Sequence, residues 1–352
     1  MTPTRALALA AAAALLFGAR GAGADTPPGS WQIARDPGAR DRWELHEAVR
    51  RDISFDQQSD LGTLRGAALE HARAQLEDAD AAHSPDVRLR FDLGEVYERL
   101  DLHDKAVALL DAALKEAPDH PSATHAWVML AYAYAHLDHP KDERAAYEQY
   151  LQRERDDRFR VTALLNLAEA DMRLGFLQEA VDGYRETIAL AVSQPMREGR
   201  NDEVLATWGL AVALDRSGDP AGATAAARQA TQIDNRIRLL GPPGTPDHGW
   251  ALINNTDFVF FVPAYDRYWY LALGYAEDAK AAPDARHAAK EWATVEYLWT
   301  KYVSQATAHD RWVTRARAHL ERAHAERLAA EKRARTQRPA ARPEDEGETF
   351  IR

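Results

Sequence analysis

The chain has 352 residues, 46% hydrophobic and 28% charged, which is enough apolar material for a core and too much for a wholly disordered chain. A formal net charge of −11 argues against nucleic acid as the main partner. The absence of cysteine excludes disulfides, thiolate metal sites and a thiol nucleophile, and past the N-terminus no apolar run of about 18 residues suggests an internal transmembrane helix.

Residues 1–24 have the form of a signal peptide. Arg5 supplies the positive start, Ala6 to Leu16 the short apolar stretch, and Ala22-Gly23-Ala24 the small-residue cleavage site, leaving Asp25 as the mature N-terminus. Without cysteine there is no lipobox thiol. The Ala- and Arg-rich composition points to a bacterial source, so the chain is expected to be exported, to the periplasm in the first place and secreted as the alternative. Residues 25–40, with Pro27, Pro28, Gly29, Pro37 and Gly38, form an expected linker. Helical stretches follow around Asp41 to Asp52 and Leu61 to Ala82, closed by Ser84-Pro85. Together, residues 41–86 are expected to make a degenerate N-terminal helix pair.

From Val87 a phrase of about three dozen residues recurs. Its first copy holds Leu93-Gly94, Tyr97, Asp101, Ala106, Ala113 and Pro118. Later copies hold Leu130-Ala131, Tyr134 and Asp138; Leu167-Ala168, Gly175, Ala180 and Tyr184; and Leu210-Ala211, Gly218, Ala223 and Ala230. Asp101, Asp138, Gly175 and Gly218 stand where a tight turn between two helices calls for residues that tolerate the left-handed conformation. These residues resemble the tetratricopeptide-repeat family, whose helix A carries Leu, then Gly or Ala, then Tyr, and whose helix B carries Ala, an aromatic and Ala before a closing Pro. The resemblance implies an all-α fold, a right-handed α-solenoid of stacked antiparallel helix pairs. Four repeats span residues 87–240, with small residues where helices cross and a core row of Leu93, Leu130, Leu167 and Leu210.

Departures from the family pattern are visible. The Gly94, Ala131, Ala168, Ala211 and Ala272 positions lie 37, 37, 43 and 61 residues apart, against a family norm of about 34. Glu143 replaces a small helix-B residue and Asp171 a large one. Residues 241–263 form a Pro/Gly-rich insertion containing the apolar run 258–262, which either plugs the groove or packs against the edge of the next helix. A fifth pair follows at 264–306, with Leu271-Ala272 and Tyr275 in its first helix and Asp284 to Gln305 as its second. Residues 307–336 are expected to be a basic C-terminal capping helix. From Arg311 to Arg342 ten Lys/Arg face only Glu321, Glu326 and Glu331. That charge either hydrates or makes weak contact with an anionic membrane surface or cell-wall polymer. The tail, 337–352, is expected to be disordered.

No catalytic signature occurs: no G-x-S-x-G, no H-E-x-x-H, no phosphate loop and no dinucleotide fingerprint. The chain is therefore expected to be neither an enzyme nor a cofactor carrier. A metal site is not expected from His120, His125, His136 and His139, because three or four ligands would have to converge. In the resembled family, helix A lines the concave face. The repeat register then gives an apolar groove row of Phe91, Val128, Leu165, Trp208 and Trp269. A second row holds Glu95, Tyr132, Glu169 and Val212, and a third, cationic or titratable, holds Arg99, His136, Arg173 and Arg216. Some family members grip a C-terminal carboxylate with Lys and Asn in such rows; this chain has neither there. The implied function is a protein-interaction scaffold or adaptor for cell-envelope components, gripping a helix or extended peptide that carries acidic residues. Two rivals stand beside it: a carrier whose 241–262 segment closes over a ligand, and a helical cell-wall-active enzyme.

Overall fold

Proline and acidic caps start the helices, and left-handed turns end them, in a pattern repeated along the chain. The computed structural model describes residues 35–58, 62–194, 200–239, 263–307 and 309–336. The signal segment, residues 25–34, the apolar run 258–262 and the tail 337–352 lie outside the described residues. Thirteen α-helices and no strand occur among the described residues. In chain order they are α1 (Pro37–Gln58), α2 (Gly62–Asp78), α3 (Val87–Arg99), α4 (His103–Glu116), α5 (Ala123–His136), α6 (Pro140–Arg153), α7 (Asp157–Leu174), α8 (Leu177–Ser193), α9 (Arg200–Ser217), α10 (Pro220–Leu239), α11 (Arg267–Ala281), α12 (Ala285–Gln305) and α13 (Val313–Thr336). Two units are distinguished, one ending at Arg267 and the other beginning at Tyr268.

In the first unit each helix packs on its sequence neighbour, and α1, α3 and α5 also touch in succession, as do α7 and α9. This is a stack of antiparallel helix pairs. Pro140 begins α6 and Pro220 begins α10, where a missing N–H costs nothing. Asp86 and Asp156 cap α3 and α7 by accepting the backbone N–H of Arg88 and Arg158. Four A-to-B turns have one geometry: Asp101, Asp138, Gly175 and Gly218 adopt φ of 58°, 57°, 84° and 94°. In each, the next residue's N–H reaches back five positions, as from Leu102 to Tyr97 at 2.8 Å and from Phe176 to Asp171 at 2.9 Å. The turn thereby satisfies a carbonyl the helix end would leave orphaned.

Small residues set how closely the helices cross. A Cβ on Gly94 would drive into the Leu110 side chain, and one on Gly209 into the Tyr184 ring. Leu93 and Leu130 are buried as the repeat register implies, whereas Leu167 and Leu210 are only half-buried, so the expected leucine row thins in the later pairs. One core cluster joins Val49, Ile53, Leu69, Leu76, Leu89 and Leu93 of α1 to α3. A second runs from Phe91 through Leu110, Val128 and Tyr147 to Phe159. Fully burying one such side chain contributes roughly 1.5–3 kcal/mol.

Two expected boundaries are corrected. Helix α1 begins at Pro37, inside the stretch expected to be a linker, because Asp36 accepts the Gly38 N–H at 2.9 Å and starts a helix there. Helix α2 ends at Asp78 rather than Ala82, because Asp80 turns to φ 50° and a 3₁₀ turn takes residues 81–83.

The second unit packs α11, α12 and α13 around Trp269. That ring is met edge-on by Trp299 at 4.9 Å, Tyr302 at 5.1 Å and His319 at 5.8 Å. Asp284 caps α12 by accepting the N–H of Arg286 and His287. Asp310 begins the return by accepting the Tyr302 hydroxyl at 3.0 Å and the Trp312 N–H at 2.7 Å.

Candidate functional site

The face expected to bind a partner is divided between core and surface differently from the sequence expectation. Phe91, Val128, Leu165 and Trp208 are all buried, and Phe91 and Val128 belong to the continuous core cluster. Trp269 is the centre of the second unit's aromatic core. The apolar row therefore is not an open stripe: A helices of neighbouring pairs approach closely enough to close over it. The cationic row is corrected as well. Arg99 donates to Glu95 at 2.9 Å, and Arg173 donates to Glu143 at 2.7 Å and Asp138 at 2.6 Å. Arg216 donates to Asp266 at 2.5 Å. Only His136 of that row is exposed, stacked on His103 at 4.3 Å; burial and the facing His103 both lower its pKa.

What the A helices present is a polar band. Glu95 on α3 is its fixed point. Arg50 of α1 donates to it at 2.5 Å, Arg99 at 2.9 Å, and His125 Nε2 of α5 lies 2.9 Å away. Burial would raise the Glu95 carboxyl, but Arg50, His125 and Arg99 overcome this and hold it well below the usual range. Beside it, His46 and Asp92 pair at 2.5 Å, so α1 contributes charge as well as a hydrophobic cover. Farther along, the half-buried Tyr132 lies edge-on to Tyr147, whose hydroxyl accepts from Asn166 of α7 at 3.1 Å. The Thr162 hydroxyl of α7 then donates to Asp202 of α9 at 3.2 Å. Burial raises the Tyr132 phenol, Glu98 on α3 and Asp202 on α9 add to the rise, and Arg99 opposes it. Glu169, buried like Glu95, accepts the Tyr184 hydroxyl at 2.5 Å.

Two carboxyls in this band titrate far from their ordinary range. Burial pushes Glu98 up to about 7, with Arg99 opposing and Glu95 and Asp101 adding to the rise. Burial pushes Asp202 to about 7 against the Thr162 hydrogen bond. Repeat register alone did not single out Arg50, Glu98, His125, Thr162 or Asp202. The signal was present for two of them. His125 and Thr162 each stand six residues before the small helix-A residue, in a row one turn ahead of the apolar one.

The departures from the repeat pattern find their partners between α6 and α7. Glu143 pairs with Arg173, and Arg144 donates to Asp171 at 2.5 Å, so two adjacent residues of one helix clasp two of the next. Burial raises Glu143 to about 8 in spite of Arg173. The clustered histidines go separate ways. His120 sits against Phe91, His125 against Glu95, His136 against His103 and His139 against Tyr134. Among the described residues no group of three or more His, Asp or Glu is placed to hold a metal, and no helix is long and apolar enough to cross a membrane.

Residues 87–120 match the model of the tetratricopeptide repeat. No curated protein matches the chain. Solved structures similar to it include MamA from AMB-1, at 18% identity over 54% of this chain and 98% of that one, with a TM-score of 0.43. The nearly identical tetratricopeptide-like repeats of a putative kinesin light chain from Podosopora anserina match at 21% identity over 56% and 95%, with a TM-score of 0.42. A tetratricopeptide repeat protein from Parabacteroides merdae matches at 15% identity over 80% and 98%, with a TM-score of 0.39.

Proposed function

Because residues 87–120 match the tetratricopeptide repeat and further helix pairs stack on them, we propose that the chain is a non-enzymatic scaffold of the bacterial cell envelope that grips a partner protein on its A helices. The observation that carries the reading is the polar band itself. Its side chains are held by ion pairs between successive helices, so little ordering entropy remains to be lost when a partner docks. With the apolar row closed, recognition falls to charge and hydrogen bonding, with Arg50, His125 and Tyr132 at the accessible edge. The Arg50 side chain keeps 36% of its surface in water even while paired. A partner carrying acidic residues beside a flat apolar or aromatic group suits it. Export to the periplasm, through the segment 1–24, would bring the band to its partners.

Cross-linking in intact cells followed by mass spectrometry tests this, with wild type set beside an Arg50→Gln/His125→Gln variant. The reading expects a small set of envelope proteins whose capture, measured per folded molecule, falls on the order of tenfold or more in the variant; because Glu95 then keeps only Arg99, the melting temperature should drop as well, and capture is compared below that lower midpoint. Capture that ignores the substitutions, or turnover of a cell-wall substrate by the purified protein, would overturn it.

A further inference from the structure

A surface that the scaffold reading does not use lies on the second unit. Residues 268–336 carry twelve Lys/Arg and nine Asp/Glu in a chain whose net charge is −11. Helices α12 and α13 pack antiparallel, and their outer seam is marked by Glu296, which accepts from Arg327 at 2.5 Å and lies 2.9 Å from His324 Nδ1. Arg327 also donates to Glu331 at 2.5 Å. Those carboxylates are thereby neutralised within the seam. The outward faces on either side are cationic: Arg286 and Lys290 on α12, and Arg317, Arg322, Lys332 and Arg333 on α13, are exposed, and none of the six is in an ion pair among the described residues. On α13's outer face Glu321 is the one exposed carboxylate among them.

Apolar groups stand in the middle of this charge. Tyr297, next to the seam residue Glu296, is 57% exposed, and Leu328, next to Arg327, is 47% exposed. The Lys301 ammonium sits 5.4 Å over the Tyr297 ring. Because Glu296 meets Arg327 across the seam, Tyr297 and Leu328 rise at the same level on adjoining helices. A ring with a polar tip and an aliphatic side chain, surrounded by long cationic stems, match the two layers of a bilayer interface: phosphates outside, acyl carbons just beneath. A soluble polyanion would engage the cations and gain nothing from the other two.

We propose that the outer face of α12 and α13 docks on an anionic lipid surface, with Tyr297 and Leu328 entering the headgroup layer and the cations pairing with lipid phosphates. Each Lys or Arg near such a surface contributes about 1 kcal/mol, roughly a fivefold change in partitioning. The full chain, sedimented with phosphatidylcholine vesicles with and without phosphatidylglycerol, should bind only the anionic ones. Binding should be lost at about 1 M salt, where the screening length falls to about 3 Å. An Arg317→Ala/Arg322→Ala/Arg333→Ala variant should bind on the order of a hundredfold more weakly. Tyr297→Ser/Leu328→Ser should weaken binding severalfold while leaving the salt dependence in place. All five positions are exposed, so melting temperatures should be unchanged. Equal binding to neutral vesicles, or wild-type binding by the triple variant, overturns the proposal. So does indifference to the Tyr297/Leu328 substitutions combined with equal binding of soluble polyglutamate, which would make the surface a polyanion site.

Discussion

Trp208 carries the sharpest residue-scale question, because the same side chain can be a ligand anchor or a keystone. It is fully buried on α9, where Gly209 beside it lets the Tyr184 ring approach. Trp208→Ala should therefore cost about 3–5 kcal/mol in chemical denaturation, and any loss of partner binding should follow the loss of folded protein. A melting temperature unchanged by the substitution would return Trp208 to the binding face. The turn residues make a second contrast. Asp101 and Asp138 hold nearly the same positive φ, but Asp138 accepts a hydrogen bond from Arg173 whereas Asp101 has only His103 Nε2 at 3.7 Å. Asp101→Gly should be neutral or stabilising by up to about 1 kcal/mol, since glycine adopts this conformation without steric cost. Asp138→Gly gains the same relief and loses the Arg173 contact, so it should fall below Asp101→Gly in stability. These turns were legible in the sequence because few residues tolerate that φ. The depth of Trp208 was not, because register names a face and says nothing of how tightly the next helix covers it.

At the level of the element, the clasp between α6 and α7 explains how this chain keeps stacking while breaking its own pattern. A small residue at the Glu143 position would let the helices close; instead Glu143 and Arg173 fill the space with a buried, hydrogen-bonded pair. Arg173→Ala should cost about 1–3 kcal/mol, because it leaves the buried Glu143 carboxyl without its hydrogen-bond donor. Glu143→Ala/Arg173→Leu should cost much less, approaching the arrangement at Ala106, Ala180 and Ala223 in the other pairs. If the single and double variants melt alike, the pair is not coupled. The sequence showed Glu143 and Asp171 as departures, yet their partners, Arg173 and Arg144, lie in different helices, and cross-helix pairing is not written in one-dimensional spacing. The start of helix α1 was hidden in the same way. Its Pro and Gly suggested a linker, but Asp36 and Pro37 together make a helix start, and the helix then carries Arg50 and His46 to the polar band.

Taken as a whole molecule, the protein buries carboxyls whose protonation is linked to folding. Asp202 and Glu98 rise to about 7 and Glu143 to about 8, all through burial first. Where a folded-state pKa exceeds the unfolded value, the native state holds the extra proton, so stability is greatest below the unfolded pKa and is lost as pH climbs through the folded one. Glu95 and Asp86 are depressed and act oppositely, giving up their contribution as pH falls below the ordinary carboxylate range. Stability should therefore peak near mildly acidic pH and decline toward pH 8. Asp202→Asn, which keeps a group able to accept from Thr162, should flatten that decline by roughly 2–4 kcal/mol and change little below about pH 4. A profile unaffected by the substitution would mean Asp202 stays ionised throughout. A different kind of tolerance follows from the bridge between Arg216 and Asp266. Arg216 and Asp266 lie 50 residues apart in the chain, and the bridge fastens the 3₁₀ turn at 264–266 to the interior of α9. Chain closure grows dearer only slowly with contour length, about 0.6 kcal/mol for each doubling. Lengthening or trimming the stretch between Arg216 and Asp266 should therefore cost little so long as the pair itself is kept.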